Sequence, residues 1–276
     1  MLQPIPEEVE LYRDLMWRRA PEQHVESAEE AESLIEVAGF CSALTDSRRG
    51  GASLYVAVCG RRDAHMPRTV QKDPEASLAW FIKDDVMKRG RVYYAKLRKN
   101  RATFVARRLV PYFNACFGIA RKEEAAHLST DARAILKVLR REWEMATADL
   151  RQESGLTDRK RFTQAMDELQ QTLKVVPADV LYEPWFTYIW MLAEGRFAGE
   201  LRVKVKRDVA LREIARAFLD GAGMTLRGEL ARLTGLSRAD AGKGNQALVK
   251  EGYAERLGEG VYRLADFEER LNRLGG

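Results

Sequence analysis

Leu226-Arg-Gly-Glu-Leu-Ala-Arg-Leu-Thr-Gly-Leu-Ser237, continued by the run Arg238 to Glu251 and the tail Tyr253 to Leu264, decides how the second half of this chain is read. It spells a short helix, a Gly-Leu-Ser turn with Ser237 placed as a helix cap, a second amphipathic helix and a strand-like hairpin around Gly258-Glu-Gly260. The same order occurs earlier. Ala148-Asp-Leu-Arg-Gln-Glu-Ser-Gly-Leu156 leads through Thr157, read as the cap, into Asp158 to Leu169 and then Leu173-Lys-Val-Val176. Each copy opens with a further helix, Thr130 to Trp143 in the first and Asp208 to Leu219 in the second. Two such units read as tandem winged helix-turn-helix domains, an architecture that most often lays its second helix in the DNA major groove.

Working outward, the fold class expected is α+β and mostly helical. An N-terminal α/β module spans residues 1–118, the first winged-helix domain 119–205 and the second 206–276. Pro6 to Arg19 reads as a helix, and a second helix starts at Ser27 and stops at Gly39. Leu54 to Cys59 is apolar and β-rich, which fits either a buried strand or a short buried helix. Arg91 to Leu97 reads as a strand, Lys99-Asn100 as a turn and Ala102 to Ala115 as a helix. Arg48 to Gly51 and His65 to Pro74 read as loops, and Ala198 to Lys206 as the linker between the two units. Trp185, Phe186, Tyr188, Ile189, Trp190 and Leu192 are expected on a helix after Pro184, packing between domains rather than stacking on bases.

Charge is unevenly spread. Met1 to Phe40 holds ten acidic residues, whereas Val86 to Lys122 holds none and carries eleven bases, against a net charge of +5 for the whole chain. Such asymmetry suits a polyanion surface, unless the bases pair with the acidic helices. In the first unit Phe162, Ala165, Met166, Leu169 and Leu173 recur at helical spacing as a buried face, which turns Arg159, Lys160, Arg161, Gln164 and Gln171 outward. Arginine can read guanine, and glutamine adenine, through paired hydrogen bonds. In the second unit Arg238, Lys243 and Gln246 point outward, while Gly242 and Gly244 are costly in a helix interior unless a backbone approaches there. Arg89, Arg91, Lys96, Arg98, Lys99 and Arg101 complete the expected DNA-binding set.

Cys41, Cys59 and Cys116 are odd in number and widely spaced, which favours a reducing, cytoplasmic setting over a disulfide framework. With His24, His65 and His127 scattered, no metal site and no cofactor is expected. The acidic start argues against a secretory signal. The longest apolar stretch, Val180 to Ala193, contains Glu183 and Pro184 and is too short for a membrane span.

Gly39-Phe-Cys41, Ala52-Ser-Leu-Tyr-Val-Ala-Val-Cys-Gly60, Trp80-Phe-Ile-Lys-Asp84, Gly90-Arg-Val-Tyr-Tyr-Ala-Lys96, Thr103-Phe104 and Leu109-Val-Pro-Tyr-Phe113 resemble landmarks of the AlkZ-related family. That family is similar to the YcaQ/AlkZ winged-helix DNA glycosylases, which release alkylated or cross-linked bases. The resemblance covers most of residues 25 to 200 and implies DNA binding more firmly than catalysis. The glycosylases carry Gln-x-Gln, or Gln-x-Asp in a sister group, with an apolar middle residue. This chain has no Gln-x-Gln, and its one Gln-x-Asp, Gln71-Lys72-Asp73, has a charged middle residue. Lys83, Asp84 and Asp85 beside Trp80 form the other compact charged group. A carboxylate there could position water or stabilise a cationic sugar, and otherwise these residues are a surface ion pair at a helix end. The leading expectation is a double-stranded DNA-binding protein, regulatory or repair-associated, without a convincing catalytic set. The alternatives are a glycosylase-like enzyme and a winged-helix module that docks to another protein.

Overall fold

The computed structural model describes residues 5–98 and 101–275. Helices carry three separate three-stranded antiparallel sheets. The first sheet joins β1 (Phe40–Ser42), β2 (Tyr93–Arg98) and β3 (Arg101–Val105), with β3 central. The second joins β4 (Glu144–Ala146), β5 (Val175–Leu181) and β6 (Thr187–Leu192), with β6 central. The third joins β7 (Met224–Thr225), β8 (Ala254–Gly258) and β9 (Val261–Leu264), with β9 central.

Around the second and third sheets the same element order occurs twice. One copy is helix Thr130–Glu142, β4, helix Thr147–Glu153, helix Arg159–Gln171 and the β5–β6 hairpin. The other is helix Arg207–Ala222, β7, helix Glu229–Thr234, helix Arg238–Lys250 and the β8–β9 hairpin. Phe162, Ala165, Met166, Leu169 and Leu173 are all buried, as their spacing requires.

Local chemistry explains where the helices begin. Ser27 and Glu30 form a capping box at the start of Ala28–Ala38, satisfying two orphan backbone donors reciprocally. Ser237 caps Arg238–Lys250 through the amide of Asp240. In the first copy the cap is Asp158, which accepts from the amide of Arg161, and not Thr157. The carboxylate does the same work one residue later and adds a negative charge at the positive end of the helix dipole.

Leu54–Cys59 takes the helical one of its two readings, buried along almost its whole length. Two expected elements fold differently. Ala102 to Ala115 divides into β3 and a helix, Val110–Phe117. Phe104 pairs with Cys41 on one side and Tyr94 on the other, and Pro111 opens the helix in the first turn, where its missing N–H costs nothing. The aromatic segment after Pro184 is strand β6, not a helix. Tyr188, Ile189 and Trp190 favour a pleated surface, and β5 and β4 lie on either side to pair with them. Smaller differences are 3₁₀ turns at Ser47–Arg49 and Val70–Lys72 and a helix, Ala198–Arg202, within the expected linker. The expected turn Lys99-Asn100 lies outside the described residues.

Helix Arg207–Ala222 forms the centre of the larger core and is packed by helices Glu7–Trp17, Ala28–Ala38, Val110–Phe117 and Arg238–Lys250. The buried Arg13 closes its C-terminal Ala222 carbonyl (3.1 Å), donates as well to the Met224 carbonyl of β7 (2.7 Å) and pairs with Glu229 at 3.2 Å. A smaller core, built on Ile135, Leu136, Leu139, Leu150, Phe162 and Leu169, lies within the first copy. The β5–β6 hairpin belongs to both. Val176, Ala178 and Val180 alternate onto the larger core, whereas Val175 and Trp190 face the smaller one.

Gly244 is required by packing: a Cβ there would lie 2.4 Å from the Leu211 carbonyl oxygen, while one at Gly242 would meet nothing within 4 Å. Gly244→Ala is expected to destabilise the fold by about 2 kcal/mol through a backbone clash. Gly242→Ala is expected to stabilise it by about 0.5–1 kcal/mol through helix propensity. Urea denaturation checks both, and similar shifts in the two variants would contradict the packing argument.

Candidate functional site

Helix Pro74–Arg89 is fixed at its start by Asp73, whose Oδ1 accepts from the Ala76 amide at 2.8 Å. Three turns on, this helix buries Lys83 and Asp84, each 2% exposed. Lys83 Nζ lies 2.7 Å from Asp84 Oδ1 and donates to Tyr188 Oη at 2.8 Å. It also sits 4.1 Å from the centre of the Trp80 ring. Asp84 Oδ2 accepts from the Tyr182 hydroxyl at 2.6 Å. The two tyrosines come from the β5–β6 hairpin, which binds this helix through the charged pair.

Burial, then the Asp84 carboxylate, raises the Tyr182 hydroxyl above its usual pKa. Burial, then Tyr188 and Asp84, does the same to Tyr94 beneath the pair. Both phenols therefore stay protonated hydrogen-bond donors across the ordinary pH range. With Asp84 on one side and the Trp80 and Tyr188 rings on others, Lys83 Nζ is enclosed and not presented to solvent.

Above the pair runs an aromatic layer. Phe186 lies 5.7 Å from Trp80, 5.7 Å from Tyr182 and 5.2 Å from Tyr188, and Phe81 lies 6.1 Å from Tyr182. Its outer edge is open to solvent: Trp185 is 81% exposed and Phe81 59%, with Leu78, Leu181, Tyr182 and Phe186 exposed beside them. An apolar, ring-rich patch of this kind has the composition of an interaction surface, and its π faces have the shape to stack on a planar group.

The structure places the remaining candidate catalytic residues elsewhere. Gln71 is exposed on the turn Val70–Lys72, Asp73 serves as a helix cap and Asp85 faces solvent. Lys83 and Asp84 form a sealed pair, not a surface ion pair at a helix end. Their tyrosine partners, about a hundred positions away, were not legible in the sequence. The available signal was a Lys-Asp pair between the apolar Ile82 and the Val86-Met87 step, a spacing that buries both charges.

The outward-facing cations are unequal. Arg159, Lys160 and Gln164 are exposed at the start of Arg159–Gln171, and among the described residues Arg159 and Lys160 have no carboxylate partner. Arg161 is forked onto Asp131 at 2.9 and 2.6 Å. Arg238, Lys243 and Gln246 are exposed on Arg238–Lys250, with Lys243 loosely paired to Asp240 at 3.8 Å. In the basic block, Arg89 bonds Glu29 and Glu32, Arg91 lies 3.2 Å from Glu32, and Lys96 lies 3.1 Å from Asp167. Acidic helix Ala28–Ala38 thus covers part of that block. Arg98 and Arg101 have no carboxylate partner among the described residues, and Lys99 lies outside them. No group of three His, Cys, Asp or Glu residues able to hold a metal occurs among the described residues, and no described helix is long and apolar enough to cross a membrane.

The family model described as AlkZ related matches residues 25–190. This chain belongs to the AlkZ-related family. The matched segment contains the buried pair, the first sheet and the hairpin as far as Trp190. Among solved structures, the DNA glycosylase AlkZ of Streptomyces sahachiroi is similar with a TM-score of 0.58 at 12% identity, over 96% of this chain and 71% of that one. At this identity the likeness is one of fold. No curated protein matches in sequence.

Asp84→Leu leaves Lys83 buried without its counter-charge and is expected to cost about 3–5 kcal/mol. The double variant Lys83→Met/Asp84→Leu is expected to recover most of that loss. Urea denaturation of both decides it: equal losses would mean that the charges are not coupled.

Proposed function

We propose that this AlkZ-related protein binds double-stranded DNA in a repair-associated role, using two winged helix-turn-helix units, residues 119–205 and 206–276. The observation that carries this reading is the repeated element order, each copy leaving cations uncovered on its third helix: Arg159 and Lys160 in one, Arg238 and Lys243 in the other. Side chains near the start of such a helix reach base edges and phosphates. The solvent-exposed rings of the β5–β6 hairpin add a surface that can stack on or wedge against an unstacked base.

Binding without base excision is favoured by the fate of the candidate catalytic residues. Asp73 is occupied as a cap, and the Lys83–Asp84 pair is sealed by aromatic rings. A glycosylase-like activity is the second reading, supported by the name of the structural neighbour. The protein-docking alternative has less support: acidic residues cover Arg89 and Arg91 but leave the third-helix cations open.

Titrating undamaged and alkylated duplexes over a series of salt concentrations tests the proposal. Arg159→Ala/Lys160→Ala is expected to weaken binding and to make the log K against log salt slope shallower by about 2. A base-release assay on the same samples separates the two readings, since release of a modified base would overturn binding alone. Binding that ignores salt would overturn the DNA reading.

A further inference from the structure

We propose that Arg49, Arg98, Arg101 and Arg232 form a site for a phosphate group of the DNA backbone. The inference rests on the DNA-binding reading above. The four side chains come from three distant parts of the chain: the turn after Asp46, the adjoining ends of β2 and β3, and helix Glu229–Thr234. Arg98 donates to the carbonyl of Arg232, and Arg232 donates to the carbonyl of Arg49. Gly50 has a positive φ of 64°, and a Cβ there would lie 3.1 Å from Arg232 Nη2. The turn therefore needs glycine both for its conformation and for room beside the guanidinium.

What sets this group apart is the lack of counter-charge. Neighbouring cations are paired: Arg48 with Asp46, Lys96 with Asp167 and Arg91 with Glu32. Among the described residues none of the four arginines has a carboxylate partner. Arg101 is half-buried, and its ordinary pKa is lowered by that burial and by the positive charges of Arg98, Arg49 and Arg232. Like charges held this close and partly desolvated repel, and an anion with several acceptor oxygens relieves the repulsion. Each guanidinium carries five N–H donors in a planar fork that matches phosphate geometry, so the donors left over after the carbonyl contacts can serve it.

The position favours a backbone phosphate over a free one. Arg232 lies on the helix that precedes Arg238–Lys250, and in a helix-turn-helix that helix crosses the sugar-phosphate backbone while its successor enters the groove. The site would then fix the register of the second unit, and it ties that unit to the first sheet.

The test compares the wild type with Arg49→Gln/Arg101→Gln in two experiments. Thermal unfolding in sodium phosphate is measured against sodium chloride at matched ionic strength, and duplex binding is titrated across salt. Phosphate is expected to raise the wild-type Tm by about 2 °C through linkage and to leave the variant unmoved. The variant's salt slope is expected to be shallower by about 2. Should the double variant fail to fold, Arg49→Gln alone, at an exposed turn position, is expected to lower the slope by about 1. Phosphate stabilisation with an unchanged slope would assign the cluster to a free phosphate compound and overturn the backbone assignment. Equal phosphate response in both proteins together with equal slopes would overturn the site altogether. A wild type that binds no duplex sinks the DNA reading and this assignment together, whereas a variant that binds with the wild-type slope sinks only the backbone assignment.

Discussion

A helix buried on nearly all sides can be surrounded only if its neighbours' backbones come close, and helix Arg207–Ala222 meets that demand with alanine and glycine. Gly221 admits Ala38, whose Cα would lie 3.2 Å from an added Cβ, and the facing Gly244 admits the Leu211 carbonyl. Phe218 then stacks on Phe40 at 6.0 Å, which binds the helix to the first sheet. The N-terminal helix contributes Arg13, which closes the Ala222 carbonyl at the end of helix Arg207–Ala222 and binds the Met224 carbonyl of β7. The first sheet, the acidic helices and the second repeated unit thus share one wall, and a larger residue at a contact point would separate them.

The β5–β6 hairpin is the second organising element. Its pleat sends alternate residues into two cores, which fixes its register, since a slip of one residue would exchange the two sets. With the strands held, Tyr182 and Tyr188 come to rest over Lys83 and Asp84, and the exposed rings between them are carried on a rigid base. A buried ion pair of this kind adds little to stability over apolar residues of the same size, but its hydrogen bonds to Tyr182 and Tyr188 favour one orientation of the hairpin. The electrostatics follow a similar logic. Six cations of the basic block, Lys88, Arg89, Arg91, Lys96, Arg107 and Arg108, are paired with carboxylates, whereas Arg98 and Arg101 have no carboxylate partner among the described residues and lie beside Arg49 and Arg232.

Capping residues, turn glycines and helical periodicity act over a few residues, and they were readable directly. Ser27, Gly39, Ser237 and the buried face from Phe162 to Leu173 sit where their chemistry puts them. The resemblance carried by Trp80 to Asp84 and Gly90 to Lys96 pointed to the family that residues 25–190 match. The same local rules failed at Phe104 and at Tyr188 to Leu192. Aromatic and β-branched residues serve a helix face or a pleated strand equally well until a pairing partner is present, and those partners lie far away in the chain.

The sequence by itself determined the repeated helix, turn, helix and hairpin order, the outward cations Arg159, Lys160, Arg238 and Lys243, and the uneven distribution of charge. Tertiary structure alone decided which of those charges are spent internally. It covered Arg89 and Arg91 with the acidic helix and buried Lys83 with Asp84 under tyrosines about a hundred residues distant. It also brought Arg49, Arg98, Arg101 and Arg232 together from three segments. The reason is physical: capping and periodicity act over a few residues of chain, whereas the pairing and desolvation of a charge depend on which surfaces fold against it.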